Sequence, residues 1–342
     1  MRWQSEPELV EIPAPTPGPG EVLVEVDAAG LCHTDLHLMR WPEGTVDYDL
    51  PFTLGHEIAG TVAAFGPGTT EVSEGERVVV FARWGCGGCW YCVQGMENLC
   101  VRTVKELGGH GAGVGRDGGL AEFMVAPSAR YLVRIRDLDP VMAAPLTDAA
   151  LTPYHAIKRS AHQLRPNTSA VVIGVGGLGH LAIQLLRALS PVRVVAIDVR
   201  EDALRLARAA GAHVALPAGN ITPNDVRSET GHSGATLVLD CVASDTTLAL
   251  AAGVVAQGGD IAYVGRGDGS LPVAPGRLPL ECSVSIPTWG TLSELAEVVA
   301  LARAGAIHTE VERFTLDQTL DAYGRLDRGE VVGRAVVTPR AP

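Results

Sequence analysis

The sequence contains no basic block. Its 342 residues carry 27 lysines and arginines against 39 acids, a formal net charge of −12, and nowhere are the cations concentrated. That excludes the electrostatic footprint of a nucleic-acid or anionic-membrane binder, so neither partner is expected and small-molecule or cofactor ligands fit better. No apolar run approaches the roughly 20 residues of a membrane span, and Met1-Arg2-Trp3-Gln4-Ser5-Glu6-Pro7 lacks the apolar core of a signal peptide; a cytoplasmic location is expected. Internal repeats and low-complexity tracts are also missing. A disulfide framework is not expected either: four of the seven cysteines crowd into one cluster, which argues for metal use in a reducing compartment.

What the chain does have is apolar mass. Hydrophobic residues make up 46% and charged residues 19%, a composition for large cores, and the length allows two domains. Early on, short apolar runs (residues 21–26, 60–65 and 77–81) alternate with Gly and Pro and predict strands of a β-rich domain, entered through the Pro-rich connector 12–20. The pattern turns helical around residues 145–160. From Ser169 onward, strands expected at 170–173, 192–197, 213–216, 236–240 and 260–264 alternate with helical stretches such as 180–189 and 201–210. That alternation indicates βαβ units and a parallel sheet, an α/β fold. A further strand at 282–286 and an amphipathic helix at 292–303 follow.

Cys86, Cys89, Cys92 and Cys100 are spaced C-x2-C-x2-C-x7-C, which lets four thiolates converge on one tetrahedral ion. With every ligand position filled by protein, this is expected to be a structural zinc. Gly85, Gly87 and Gly88 permit the tight turns, and Trp90, Tyr91 and Val93 are expected to cover the ion. The rival, an iron–sulfur cubane, spaces its fourth cysteine closer and follows it with proline; here Val101 follows.

Directly after the 170–173 strand comes Gly174-Val175-Gly176-Gly177-Leu178-Gly179 and then a helix, which is G-x-G-x-x-G in the context that gives it meaning. Gly174 serves the tight turn, Gly176 lets backbone approach a pyrophosphate, and Gly179 lets helix pack on strand. The helix start offers amide donors. Asp198, ending the next strand, is placed to accept from the ribose hydroxyls and to repel a 2′-phosphate, favouring NAD(H) over NADP(H). Its other reading is a turn residue. Arg200 either flanks the adenine or tolerates a phosphate.

Three further segments carry metal-ligand types: Gly30-Leu31-Cys32-His33-Thr34-Asp35-Leu36-His37, Leu54-Gly55-His56-Glu57 and Pro145-Leu146-Thr147-Asp148. Singly, each has an ordinary reading. Cys32 fits a core, His56 a turn, Glu57 a cation's partner and Asp148 a helix N-cap.

With the cysteine lobe and the fingerprint in the same order, the chain resembles the zinc-dependent medium-chain alcohol dehydrogenases over essentially its whole length, and within them the bacterial NAD-dependent secondary-alcohol dehydrogenase and ketone reductase branch. The resemblance implies a GroES-like β-rich catalytic domain (1–150 and 288–342, zinc lobe 85–101) and a Rossmann doubly wound domain (151–287). It implies two zincs per chain, the catalytic one on Cys32 and His56; a Cys2His set is the type example for this enzyme class. Where many members carry a third cysteine this chain has Asp148, the natural replacement, with Glu57 as a nearby or transient ligand.

By the same resemblance, hydride leaves an alkoxide held on zinc for the nicotinamide, Thr34 takes the alcohol proton, and His37 relays it outward or is merely a pocket wall. Asp35 orients the ligating histidine. His33 and Arg334 contact the cofactor diphosphate, and Val242, Val264, Gly265 and Arg266 line the nicotinamide side. Trp41, Tyr48 and Trp289 are the expected substrate-pocket aromatics, suiting hydrophobic alcohols and ketones. Pairing through the 283–286 strand implies a homodimer or homotetramer. Two alternatives stay open: another branch of the family (polyol, threonine or cinnamyl-alcohol type), or a non-catalytic nucleotide-binding relative.

Overall fold

The structure, a computed structural model, describes residues 1–231 and 233–340. The chain divides into two compact units, one made of Met1–Asp148, Gly290–Ala304 and Thr309–Pro342, the other of Ala149–Trp289 and Gly305–His308.

The first unit is built on strand Val22–Gly30, whose side chains alternate as the sequence pattern demands. Val22, Val24 and Val26 are fully buried while Leu23, Glu25 and Asp27 are half-buried, the period-two signature of a sheet with one face in a core. Around it runs a seven-stranded sheet in the order Val311–Thr315, Arg334–Thr338, Val22–Gly30, Glu57–Phe65, Arg77–Val80, Leu132–Arg134, with Phe123–Ala126 also pairing onto Val22–Gly30. All pairings are antiparallel except that of Val311–Thr315 with Arg334–Thr338. Gly30 is directly opposite Glu57 and also pairs with Val336, so three distant parts of the chain meet at one end of this sheet. That meeting point carries the candidate metal site.

The second unit is a six-stranded, wholly parallel sheet in the order Val214–Pro217, Arg193–Asp198, Ser169–Ile173, Ala235–Asp240, Val255–Tyr263, Ser283–Ser285. In chain order this is third, second, first, fourth, fifth, sixth, the doubly wound dinucleotide-binding arrangement. Its central strand, Ser-Ala-Val-Val-Ile, is buried at every position, as a strand covered on both faces must be. Helix Gly179–Leu189 follows that strand, and Leu181, Ala182, Ile183, Leu185 and Leu186 are all fully buried. The expected strand at 260–264 begins earlier, at Val255. Through Gln257-Gly258-Gly259 the strand continues with a shift in register, Gly258 taking φ +70°. Among the described residues no helix is long and apolar enough to cross a membrane.

Candidate functional site

Cys32 sits at the N-cap of helix His33–Arg40, and its backbone N–H donates to Oδ2 of Asp35 at 3.0 Å, the reciprocal arm of a capping box. The second oxygen of the same carboxylate lies 3.2 Å from Nδ1 of His56, both groups fully buried. Asp35 therefore fixes two residues at once, the backbone that carries Cys32 and the ring of His56. With Nδ1 given to Asp35, Nε2 is the nitrogen left to face outward. It lies 3.5 Å from Oδ2 of Asp148, and that oxygen is 3.6 Å from Sγ of Cys32. All three donor atoms fall within 4.8 Å of one another. A tetrahedral zinc with bonds of about 2.0–2.3 Å separates such donors by about 3.3–3.6 Å, so the residues fit the ion.

Asp148 ends the 3-10 turn Ala144–Thr147. The following helix, Leu151–Ser160, has Ala150 at its N-cap and no side-chain cap, so the helix-cap reading of Asp148 does not hold. The ring of His56 is pushed well above its usual pKa: burial alone lowers it, but the charge of Asp35 and hydrogen bonding to Asp148 and Asp35 outweigh burial.

Two expectations change beside this centre. Glu57 is not among the converging donors: its Oε2 and Oε1 accept from Nε and a terminal nitrogen of Arg334, at 2.9 and 2.5 Å, and both side chains are buried. Arg334, expected on the cofactor diphosphate, is thus held by Glu57 and lies 3.8 Å from Asp148. The reason is charge balance, since neither ion is tolerable in that interior without the other. Burial pushes the Glu57 carboxyl upward to about 7 against the pull of Arg334; the bidentate geometry identifies the pair as ionised. Gly30 makes room for it, because a Cβ there would stand 1.9 Å from Glu57 Oε2. Sequence reasoning missed Tyr323. Its buried hydroxyl, pushed up first by burial and then by the charge of Asp35, belongs to helix Thr319–Asp327, which packs on His33–Arg40. Nothing in its own stretch of sequence marks it.

The cysteine lobe converges as its spacing requires. The four sulfurs lie within 4.8 Å of one another, with Cys89 to Cys92 at 3.5 Å and Cys89 to Cys100 at 3.8 Å; tetrahedral thiolates on zinc stand about 3.8 Å apart. Without a cation four such thiols cannot all ionise. A backbone hydrogen bond at Cys92 favours the thiolate of Cys89, while burial pushes Cys92 up to about 12. Gly87 has φ +73°, and a Cβ on Gly85 would meet Cys92 Sγ at 2.6 Å, so both turns need glycine. Tyr91 packs on the cluster, but Trp90 and Val93 do not cover it: each is 67% exposed, on the outer side of a segment too short to fold back over itself.

In the nucleotide unit each glycine of the fingerprint shows its own constraint. Gly174 has φ +85°; a Cβ on Gly176 would meet nothing within 4 Å, leaving the backbone open to approach; a Cβ on Gly179 would stand 1.9 Å from the carbonyl oxygen of Gly174. Leu178 at the helix N-cap makes no side-chain cap, so no N-cap side chain competes with an anion for the first turn of the helix. This is a cradle that a dinucleotide pyrophosphate fits. Asp198 accepts from the amides of Val175 (2.7 Å) and Arg200 (2.9 Å), which orient its carboxylate, and the Arg200 side chain leans to Asp202 at 3.5 Å.

The remaining expected residues divide between the units. Thr34 and His37 are half-buried on helix His33–Arg40, and His33 is exposed at its start. Trp41, half-buried, is the C-cap of the same helix. Tyr48 is buried against Trp3, Phe52 and His110, with ring centroids 5.8–6.0 Å apart. In the nucleotide unit Val264 is buried, Val242 and Arg266 are exposed, Gly265 packs on the backbone of residues 241–242, and Trp289 is buried with φ +48°.

The same two-part architecture recurs in known proteins. Residues 18–137 match the family model described as alcohol dehydrogenase GroES-like domain, and residues 177–304 the one described as zinc-binding dehydrogenase. An NAD-dependent alcohol dehydrogenase of Sulfurisphaera tokodaii is 34% identical, covering 97% of this chain and 96% of that protein. Among solved structures, the alcohol dehydrogenase of Aeropyrum pernix superposes with a TM-score of 0.87 at 34% identity, over 97% of this chain and 96% of the other. An acetophenone reductase of Geotrichum candidum, solved with NAD, superposes with a TM-score of 0.82 at 30% identity, over 96% and 92%.

Proposed function

The chain belongs to the zinc-binding alcohol dehydrogenase family, and from that premise we propose that it is an NAD(H)-dependent enzyme interconverting hydrophobic secondary alcohols and their ketones at Cys32, His56 and Asp148. The observation that carries this reading is the approach of Cys32 Sγ, His56 Nε2 and Asp148 Oδ2 to tetrahedral spacing, with the far nitrogen of His56 held by Asp35. Zinc, when bound, supplies Lewis acidity that acidifies an alcohol hydroxyl or polarises a carbonyl.

The chain's own residues do the rest. Cys32 and Asp148 bring two negative charges to balance a dication. Asp35 keeps the His56 ring in one orientation. Thr34 is the first acceptor of the substrate proton; His37, three residues on along the same helical face, passes it toward water. The amides at the fingerprint hold the pyrophosphate, and Asp198, with lone pairs remaining on both oxygens, accepts from the ribose hydroxyls and disfavours a 2′-phosphate.

The substrate class is supported by the likeness to the acetophenone reductase, with Trp41 and Trp289 as candidate contacts. A homodimer or homotetramer is supported by the edge strand Ser283–Ser285, flanked by exposed Leu280 and Ile286, whose outer side is suited to pairing with a second copy. Thiolate ligation in both clusters suits a reducing, cytoplasmic setting.

The test is an NADH-linked screen over primary alcohols, secondary alcohols, polyols and ketones, with zinc measured on the same preparation. Two zincs per chain and preference for apolar secondary alcohols are expected. Preference for polyols overturns the substrate reading, and a better specificity constant with NADPH overturns the role of Asp198.

A further inference from the structure

Asp240 ends the fourth strand of the nucleotide unit, fully buried, and belongs to none of the motifs above. Its Oδ1 accepts from the backbone amides of Val242 (2.9 Å) and Ala243 (2.8 Å). Its carbonyl oxygen accepts from the amides of Val264 and Gly265, both at 2.9 Å. One residue thus anchors the turns that follow the fourth and fifth strands. The turn it holds is not relaxed: Ala243 has φ +60°, a left-handed conformation that a non-glycine residue adopts at a cost and keeps only when its surroundings impose it.

The clamped turn is also wedged from both sides. A side-chain methyl of Val242 stands where a Cβ on Gly174 would be, at 2.5 Å, and the amide of Cys241 donates to the carbonyl of Ile173 at 2.9 Å. On the opposite side, Gly265 and Gly267 lie so close that a Cβ on either would approach the backbone of residues 241–243 to 2.5 Å. The result is a tightly stacked set of backbones at the carboxyl ends of the first, fourth and fifth strands, where open α/β sheets bind their ligands. Burial pushes the Asp240 carboxyl upward, opposed by the amides of Ala243 and Val242.

We propose that Asp240 is a positioning residue for the nicotinamide half of the cofactor: its carboxylate locks the 241–243 turn so that Val242 and the Val264-Gly265-Arg266 segment hold one fixed surface. The inference rests on the cofactor reading above. It separates the two halves of the dinucleotide, because the adenosine half depends on Asp198, whose carboxylate is oriented by the amides of Val175 and Arg200, whereas the clamped turn meets the fingerprint at Gly174.

The experiment is calorimetric titration of the full chain with NADH and, separately, with AMP. The unmodified chain tests the cofactor reading, since failure to bind either ligand overturns that reading and this inference with it. In Asp240→Asn, loss of an ionic acceptor for two amides is expected to weaken NADH about tenfold while AMP changes by less than about twofold. Gly267→Ala pushes on the same turn from an exposed position without touching the buried carboxylate, and it is expected to shift the NADH-to-AMP affinity ratio in the same direction. Equal weakening of both ligands in these variants reduces Asp240 to a structural role and overturns the proposal. So does an unchanged ratio in both; where Asp240→Asn does not fold, Gly267→Ala decides alone.

Discussion

The two metal centres of the first unit are built in opposite ways. The cysteine lobe draws all its donors from fifteen consecutive residues and one side-chain type, with Tyr131 bonding the Gly85 backbone and Arg130 pairing with Glu97 from outside that stretch. The second centre takes a thiol, an imidazole and a carboxylate from positions 32, 56 and 148, and around them stand Asp35, Tyr323 and the Glu57–Arg334 pair. A four-thiolate set saturates its ion and braces a loop. A three-donor set that leaves a coordination position open has to be held in place by something other than the ion, and the buried hydrogen-bonded shell supplies that.

The contrast is open to attack at several points. The largest effect is expected from His56→Ala: turnover falls on the order of 1,000-fold or more and zinc content drops from two per chain to one, because the remaining donors cannot hold the ion. Retention of both zincs with normal turnover would refute the site. Cys100→Ala strikes the other centre. It is expected to cost several kcal/mol, a fall in melting midpoint on the order of 10 °C, since metal binding there is folding energy; calorimetry of the variant against the parent measures it.

Glu57→Gln should destabilise by about 3 kcal/mol, the cost of leaving a buried guanidinium without its counter-charge, while zinc content stays at two. A loss of zinc in that variant would return Glu57 to the ligand set. A pH effect follows from His56. In the metal-free chain its raised pKa contributes stability that is complete below the usual histidine value of about 6.5 and is lost as pH rises through the raised folded value; each tenfold gain in proton affinity on folding is worth about 1.4 kcal/mol. Zinc requires the neutral ring, so the dependence reverses on loading: affinity falls as pH drops below that raised value. Melting curves of stripped and loaded protein between about pH 6 and 9 should diverge, a window that spans the ordinary histidine value and the region above it; parallel curves would contradict the assignment. The smallest effect is expected at Trp90→Ala, a shift within about 1 °C, because the ring stands in solvent.

Legibility in the sequence followed locality. Helix Leu292–Arg303 is readable to both ends, because Thr291 and Glu294 form a capping box at its start and its apolar spacing is regular. The fifth Rossmann strand is longer than its sequence pattern predicts, because Val255 already pairs with Ala235 and the ladder resumes at Asp260, beyond the bulge at Gly258 and Gly259. Asp148 has two readings in sequence; the structure removes one by starting the next helix at Leu151.

Short-range spacing was enough for the cysteine lobe, the nucleotide fingerprint, the alternation of strand and helix, and the family, because backbone geometry translates each of these patterns directly into local structure. Chain folding in three dimensions was needed to pair Glu57 with Arg334 across 277 positions, to bring Tyr323 to Asp35, and to set Asp240 as the clamp on the turn beside Gly174. Those contacts depend on which buried charges must find partners once the strands have paired, and no local spacing records that choice.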